Sequence, residues 1–212
     1  EAWPETARLY GPQYDNRVES FGYVHAYGTT GNEDVAYLHD DPNQNDIFQA
    51  WPEMARLYHK RPEGGYSYYN RVKSFGYVHA YGTTGNVDVA YLHGDPGQDD
   101  VFEAWPEMAR LYHKRPEGGY SHYNRVKSFR SVNAYSEEGG NDRAFLYDSA
   151  LEESPDYLEA GTNWARLFND DLGYAYMVMD FERVEANSSN SSDVANVDPN
   201  ALDFLLLMNG PW

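Results

Sequence analysis

The segment AWPETARLY at residues 2–10 returns as AWPEMARLY at 50–58 and 104–112, and FGYVHAYGTTGN at 21–32 returns at 75–86. Tandem self-similarity at a fixed period of tens of residues belongs to solenoids, propellers and arrays. Any fold for this chain must therefore reuse one supersecondary unit along its length.

The period follows by subtraction. Val18, Val72 and Val126 are 54 apart, as are Ala36, Ala90 and Ala144, but Tyr10 and Tyr58 are only 48 apart. The first copy thus lacks six residues where later copies read HKRPEGGYS, and a segment that varies in length is expected to be a surface loop. A decayed fourth copy follows: Trp164-Ala165-Arg166-Leu167-Phe168 stands for WPEMARLY, Phe181, Val184 and Ala186 for Phe129, Val132 and Ala134, and residues 193–197 for 88–92. The copies span 3–50, 51–104, 105–160 and a degenerate capping copy, 161–212. A weaker echo, Ala55-x-Leu57 and Ala90-x-Leu92, suggests two rungs per copy.

These segments alternate with period two and are rich in Tyr, Val and Phe, which suits pleated strands. Gly28, Gly31, Gly82, Gly85 and the acidic runs at 40–46 and 95–100 punctuate them as turns. The reading is all-β, a parallel β-solenoid of about eight coils, with a four-bladed β-propeller as the architectural alternative. One unit of this size buries too little apolar surface to stand alone. Ala and Leu of each Ala-x-Leu point inward in this scheme, with Val18, Phe21, Val24, Ala26 and their equivalents. The tyrosines between them face outward or stack from coil to coil.

A net charge of −18 argues against sequence-independent binding of nucleic acid or anionic membrane and favours attraction of divalent cations. Absence of Cys removes disulfides, thiolate metal sites and a cysteine nucleophile. No apolar run has membrane-spanning length, so no membrane insertion is expected. The chain starts at Glu1 inside a repeat, as a piece of a longer precursor would. Residues 201–208 are the most apolar stretch, expected to form a capping strand or short helix, or a strand donated to a neighbouring subunit.

Chemistry-bearing residues sit mainly in the acidic turns. Asp40, Asp41 and Asp46, then Asp95, Asp99 and Asp100, offer the clustered oxygens that calcium takes, and 148–156 is a third such run. Solvated turns rich in turn formers are the plainer reading. Six of the seven histidines fall at repeated positions, His25 and His79, His39 and His93, His59 and His113, which suits ladder residues better than ligands. An active site is normally built once. Glu107, Arg110 and Asp99 sketch the carboxylate-lined groove of a polysaccharide-degrading enzyme, but nothing marks one copy as special. Tyrosine, at 20 residues, either stacks on sugar rings or braces neighbouring coils. Asn187 and Asn190 open acceptor-type sequons.

Residues 88–92 through 109–112, and 142–148 ending in Phe145-Leu146-Tyr147-Asp148, resemble the tandem repeats of very large extracellular proteins of planctomycetes and related bacteria. The resemblance implies a secreted or cell-surface setting and a structural or adhesive role, with no catalytic residue. His93-Gly94 departs from the Tyr-Asp form of Tyr147-Asp148. The expectation is a non-enzymatic repeat protein forming rods or fibres by self-association with neighbouring subunits. A polysaccharide-binding adhesin and a polysaccharide-degrading enzyme are the alternatives.

Overall fold

The computed structural model describes residues 1–29 and 33–212, so Gly31 lies outside the described residues. The chain is all-β. Copy one supplies β1 (Thr6–Gly11), β2 (Tyr14–Glu19), β3 (Tyr23–Tyr27) and β4 (Val35–His39). Each later structural unit begins a few residues ahead of its sequence copy, with the strand that enters its meander; the second has β5 (Ile47–Ala50), β6 (Met54–Lys60), β7 (Tyr66–Lys73), β8 (Tyr77–Tyr81) and β9 (Val89–His93). Copy three supplies β10 (Asp100–Trp105), β11 (Met108–Lys114), β12 (Tyr120–Lys127), β13 (Ser131–Tyr135) and β14 (Arg143–Tyr147). The last has β15 (Tyr157–Gly161), β16 (Trp164–Asn169), β17 (Tyr174–Met179), β18 (Arg183–Asn187), β19 (Val194–Val197) and β20 (Leu205–Asn209). Among the described residues the only helical segment is the 3-10 turn Pro199–Ala201.

Two large mixed sheets hold these strands. One has eight, ordered β20-β18-β14-β10-β11-β12-β8-β4, and the other ten, ordered β19-β15-β16-β17-β13-β9-β5-β6-β7-β3. The β1–β2 hairpin is bridged to β4 through Ala2. Sheets that run through several copies take the place of the separate blades a propeller requires. Each full copy is an antiparallel meander of three strands followed by two single strands that switch sheets. Three passes per copy, not two rungs, put the meander β5-β6-β7 in the ten-stranded sheet and β10-β11-β12 in the eight-stranded one.

The pairing explains the Ala-x-Leu spelling. Strands of neighbouring copies pair in parallel so that Ala36 meets Val78 and Leu38 meets Ala80, while Phe48 meets Ala90 and Ala50 meets Leu92. Large and small side chains thus alternate in both directions, which fills the layer without voids or overpacking. Ala90, Leu92, Phe102, Ala104, Leu111 and Leu146 are all fully buried. One apolar cluster runs from Ala2 to Val184, so each copy closes its neighbour's core. Carbonyls ending the first meander strands are tied across the core: Asn70 donates to Trp3 O at 2.9 Å, Asn124 to Trp51 O at 3.2 Å and the Tyr176 hydroxyl to Trp105 O.

Some expectations need correcting. The six-residue difference is a longer hairpin and not only a loop, since β6 and β7 add the pair Lys60–Tyr66 beyond the position where β1 and β2 already turn. Val72, Val126 and Phe129 are inward as expected, but Val18 is 41% and Phe21 58% exposed. The cause is position: among the described residues no strand is laid on that end of the sheets. The apolar stretch at 201–208 ends in an edge strand, β20, laid parallel on β18.

Candidate functional site

Each turn returning the chain to a meander or to the strand after β3, β8, β13 or β18 ends in an aspartate beside the next strand: Asp34, Asp46, Asp88, Asp100, Asp142, Asp156 and Asp193. From Asp46 onward all are buried. One carboxylate oxygen closes its own turn. Asp46 Oδ2 accepts the Asp41 N–H at 2.8 Å, Asp100 Oδ2 the Asp95 N–H at 2.6 Å and Asp156 Oδ2 the Ser149 N–H at 2.8 Å. The intervening acids reach along the stack: Asp88 Oδ1 accepts the Asp46 N–H at 2.7 Å, Asp142 Oδ1 the Asp100 N–H at 2.6 Å and Asp193 Oδ1 the Asp156 N–H at 3.0 Å. The acids therefore join turn to turn through charge-assisted bonds.

Burial exacts a penalty. It pushes the Asp46 and Asp100 carboxyls up to about 7 and Asp88 up to about 6. Three pockets relieve it differently. In the first, Asp40, Asp46 and Asp88 bring carboxylate oxygens within 4.8 Å of one another beside Tyr68. In the second, Gly94 stands where Asp40 stood, leaving Asp100 and Asp142, and His122 replaces the tyrosine with Nε2 3.4 Å from Asp100 Oδ1. In the third, Asp148, Asp156 and Asp193 again lie within 4.8 Å, and hydroxyls answer them: Ser189 on Asp148, Ser149 and Tyr174 on Asp156, Ser188 on Asp193.

Of the acids singled out from sequence, Asp40 and Asp46 come together, joined by Asp88. Asp41 closes its own turn by accepting the Asn43 N–H at 3.0 Å. Asp95 donates its N–H to Asp100, exposed Asp99 accepts the Asn141 N–H at 2.9 Å, and Asp100 faces His122. Of the residues sketched as a catalytic groove, Arg110 is held by Glu103 at 2.5 Å and lies over the Trp105 ring, while Glu107 accepts the Ser128 N–H through its carbonyl in a turn. Sequence reading passed over Asp88, Asp142, Asp193, Tyr68 and His122. The signal was present, because an aspartate stands two residues before the first inward side chain in Asp46-Ile47-Phe48, Asp88-Val89-Ala90 and Asp100-Val101-Phe102.

Aromatic rings form a second ladder on the outer faces. Trp3 lies flat on His39 and His39 on Tyr81; Trp51 lies on His93 and His93 on Tyr135; Trp105 lies on Tyr147. These ring faces are spent on each other. His59 and His113 sit 2.9 Å from the Asn45 and Asp99 carbonyls. The repeated histidines are thus ladder and turn residues.

Compared with known proteins, the chain matches no family model, and neither a curated protein nor a solved structure is similar to it.

Proposed function

We propose that this chain is a structural, non-enzymatic repeat protein, a rod- or fibre-forming component of a cell surface or extracellular matrix that assembles end to end. Its winding is a parallel β-solenoid in which each copy makes one and a half turns. The resemblance to large bacterial surface repeats supports the extracellular setting.

The observation that carries the reading is the apolar character of both ends. Phe21, Tyr23 and Tyr27 are 58%, 59% and 64% exposed at one end, although their counterparts Phe129 and Phe181 are buried in the interior of the stack and Tyr77 and Tyr81 half-buried. At the other end Val194, Leu205 and Met208 are 45%, 52% and 47% exposed. Apolar surface concentrated in this way marks an interaction site. The edge strands β3, β19 and β20 each pair in parallel with their own neighbours β7, β15 and β18, so a second copy stacks by the parallel pairing the chain already uses between its own copies. Such a head-to-tail contact does not close on itself and builds an open filament. The chain carries a net charge of −18, which opposes side-by-side association.

Sedimentation velocity and negative-stain electron microscopy of the purified chain test this. Concentration-dependent, unbranched filaments are expected, and they are lost in Tyr27→Lys and Leu205→Lys while the melting temperature holds. A monomer up to the solubility limit overturns the reading. A second reading, polysaccharide binding, draws on the same exposed Tyr23 and Tyr27; retention of the monomer on a polysaccharide column would favour it.

A further inference from the structure

We propose that Asp40, Asp46 and Asp88, with the hydroxyls of Tyr68 and Thr83 beside them, form a buried site for a hard divalent cation, calcium foremost. The inference stands apart from the rod reading, since it concerns the interior of the second copy and not the ends.

Three carboxylates meet here with little water to screen them: Asp46 and Asp88 are fully buried and Asp40 is 8% exposed. No arginine answers them, because the Arg ion pairs among the described residues go to Asp15, Glu19, Glu103 and Glu185. His59 stands 3.5 Å from Asp46 Oδ1, but its Nδ1 lies closer, at 2.9 Å, to the Asn45 carbonyl. Several like charges in a low-dielectric pocket must take up protons or hold a cation.

Unmet valences occur here and around Asp100 and His122, but here they fall on oxygens of a three-carboxylate cluster. Asp46 Oδ1 and Asp40 Oδ2 are buried without a hydrogen-bond partner, and so is the hydroxyl of Tyr68, a residue only 2% exposed. That hydroxyl lies nearest Asp46: burial first, then the charge of Asp46 and its carboxylate acting as an acceptor toward the hydroxyl, then the charges of Asp40 and Asp88, push its pKa upward. The remaining oxygens are engaged from outside and held in place. Thr83 Oγ donates to Asp40 Oδ1 at 3.0 Å, the Thr83 N–H to Asp88 Oδ2 at 3.3 Å and the Asp41 N–H to Asp46 Oδ2 at 2.8 Å.

The other two pockets serve as internal controls. At Asp148, Asp156 and Asp193, serine hydroxyls and Tyr174 already occupy the carboxylates. At Asp100, Gly94 has removed one acid and an imidazole stands in the pocket. Among the described residues, only the first pocket combines three carboxylates with unanswered oxygens.

An all-oxygen donor set selects a hard ion. Carboxylate oxygens within 4.8 Å of one another suit calcium, whose bonds run about 2.3–2.6 Å, better than magnesium, which keeps several of its waters.

The full chain, stripped with chelator, is titrated at neutral pH with calcium, magnesium, zinc and terbium, following melting temperature and tyrosine-sensitised terbium emission. Calcium is expected to raise the melting temperature and displace terbium. Asp40→Asn, whose side chain makes only the Thr83 bond, is expected to fold and to bind calcium at least about tenfold more weakly; Asp148→Asn should bind as the parent does. No thermal shift and no terbium emission, an unchanged response in Asp40→Asn, a response lost in Asp148→Asn, or a larger shift with zinc than with calcium each overturns the site.

Discussion

His122 Nε2 stands 3.4 Å from Asp100 Oδ1, and both residues are 1% exposed. At the equivalent positions Tyr68 faces Asp46 and Tyr174 donates to Asp156, so one buried acid in each of the three pockets is met by a ring on the second hairpin strand. His122 is the ring that titrates. Burial lowers its pKa to about 4 from an ordinary 6.5, and burial raises that of Asp100 to about 7 from 3.8.

The signs of these two shifts oppose each other. Between pH 4 and 6.5 the unfolded chain binds more protons at His122, so that group makes stability rise with pH; between 3.8 and 7 the folded chain binds more at Asp100, so that group makes it fall. His122→Tyr removes the first effect and leaves the second, in a pocket where Tyr68 and Tyr174 show that tyrosine fits. Urea midpoints of the two proteins should run parallel above pH 6.5, with His122→Tyr gaining on the parent as pH falls toward 4. The reverse trend would reveal an imidazolium–aspartate ion pair.

The Trp51–His93–Tyr135 stack, with centroids 4.9 Å apart at both contacts, braces three successive passes of the ten-stranded sheet's outer face. Arg56 adds its guanidinium 5.4 Å from the Trp51 ring. Trp51→Ala should cost about 1–3 kcal/mol, less than a fully buried tryptophan because the ring is half-buried. Trp3→Ala, at the open end, should cost less. Chemical denaturation of both variants checks the order.

Leu92 lies between Ala50 and Ala134 in its sheet with no exposed surface. Small neighbours on both sides cannot close over the hole that Leu92→Ala would leave, so a loss of about 2–5 kcal/mol is expected. Because the apolar cluster is continuous, the loss should lower one cooperative transition and not split off the second copy. Calorimetry at two wavelengths of parallel circular dichroism would show separate transitions if the copies melted singly.

These elements differ in how far the residues announced them. Period-two spelling of Ala-x-Leu named the strands and their inward faces, because alternation is a property of one strand at a time. The three-stranded meander was not legible in the same way. Its middle strand, Met54–Lys60, has the same alternation as its neighbours, and nothing local distinguishes a hairpin return from a pass to the opposite sheet. The acidic turns were read as solvent-facing because Asp usually is, yet Asp46 is buried with its backbone N–H bound by the Asp88 carboxylate 42 residues on, a relation no local window contains. His25, His39 and their equivalents were legible as ladder residues because the repeat itself shows which positions exchange with Tyr or Asn.

A one-strand slot remains in the sheet between β1 and β4. Ala2 alone bridges them, facing Ala7 and Leu38, where copies two and three insert β5 and β10. A cavity of about 720 Å³ lies there, lined by Leu9, Val24, Ala36 and Phe75 among others, and Leu9 is 44% exposed although its counterparts Leu57 and Leu111 are fully buried. In the later copies Phe48 and Phe102 fill this place and touch Phe129 and Phe181 at centroid distances of 6.1 and 6.3 Å. Adding Asp-Val-Phe before Glu1 recreates the sequence of Asp100–Trp105, and register places the new Phe opposite Leu9 and Ala36 with its ring toward Phe75. Burying that ring and completing the strand's hydrogen bonds should add about 2–4 kcal/mol to stability. An Asp-Val-Ala extension completes the same backbone bonds and leaves the cavity, so it should recover only a minor part. Equal gains from the two extensions in urea unfolding would mean that the slot is closed by backbone pairing and that Phe75 has no use for a partner ring.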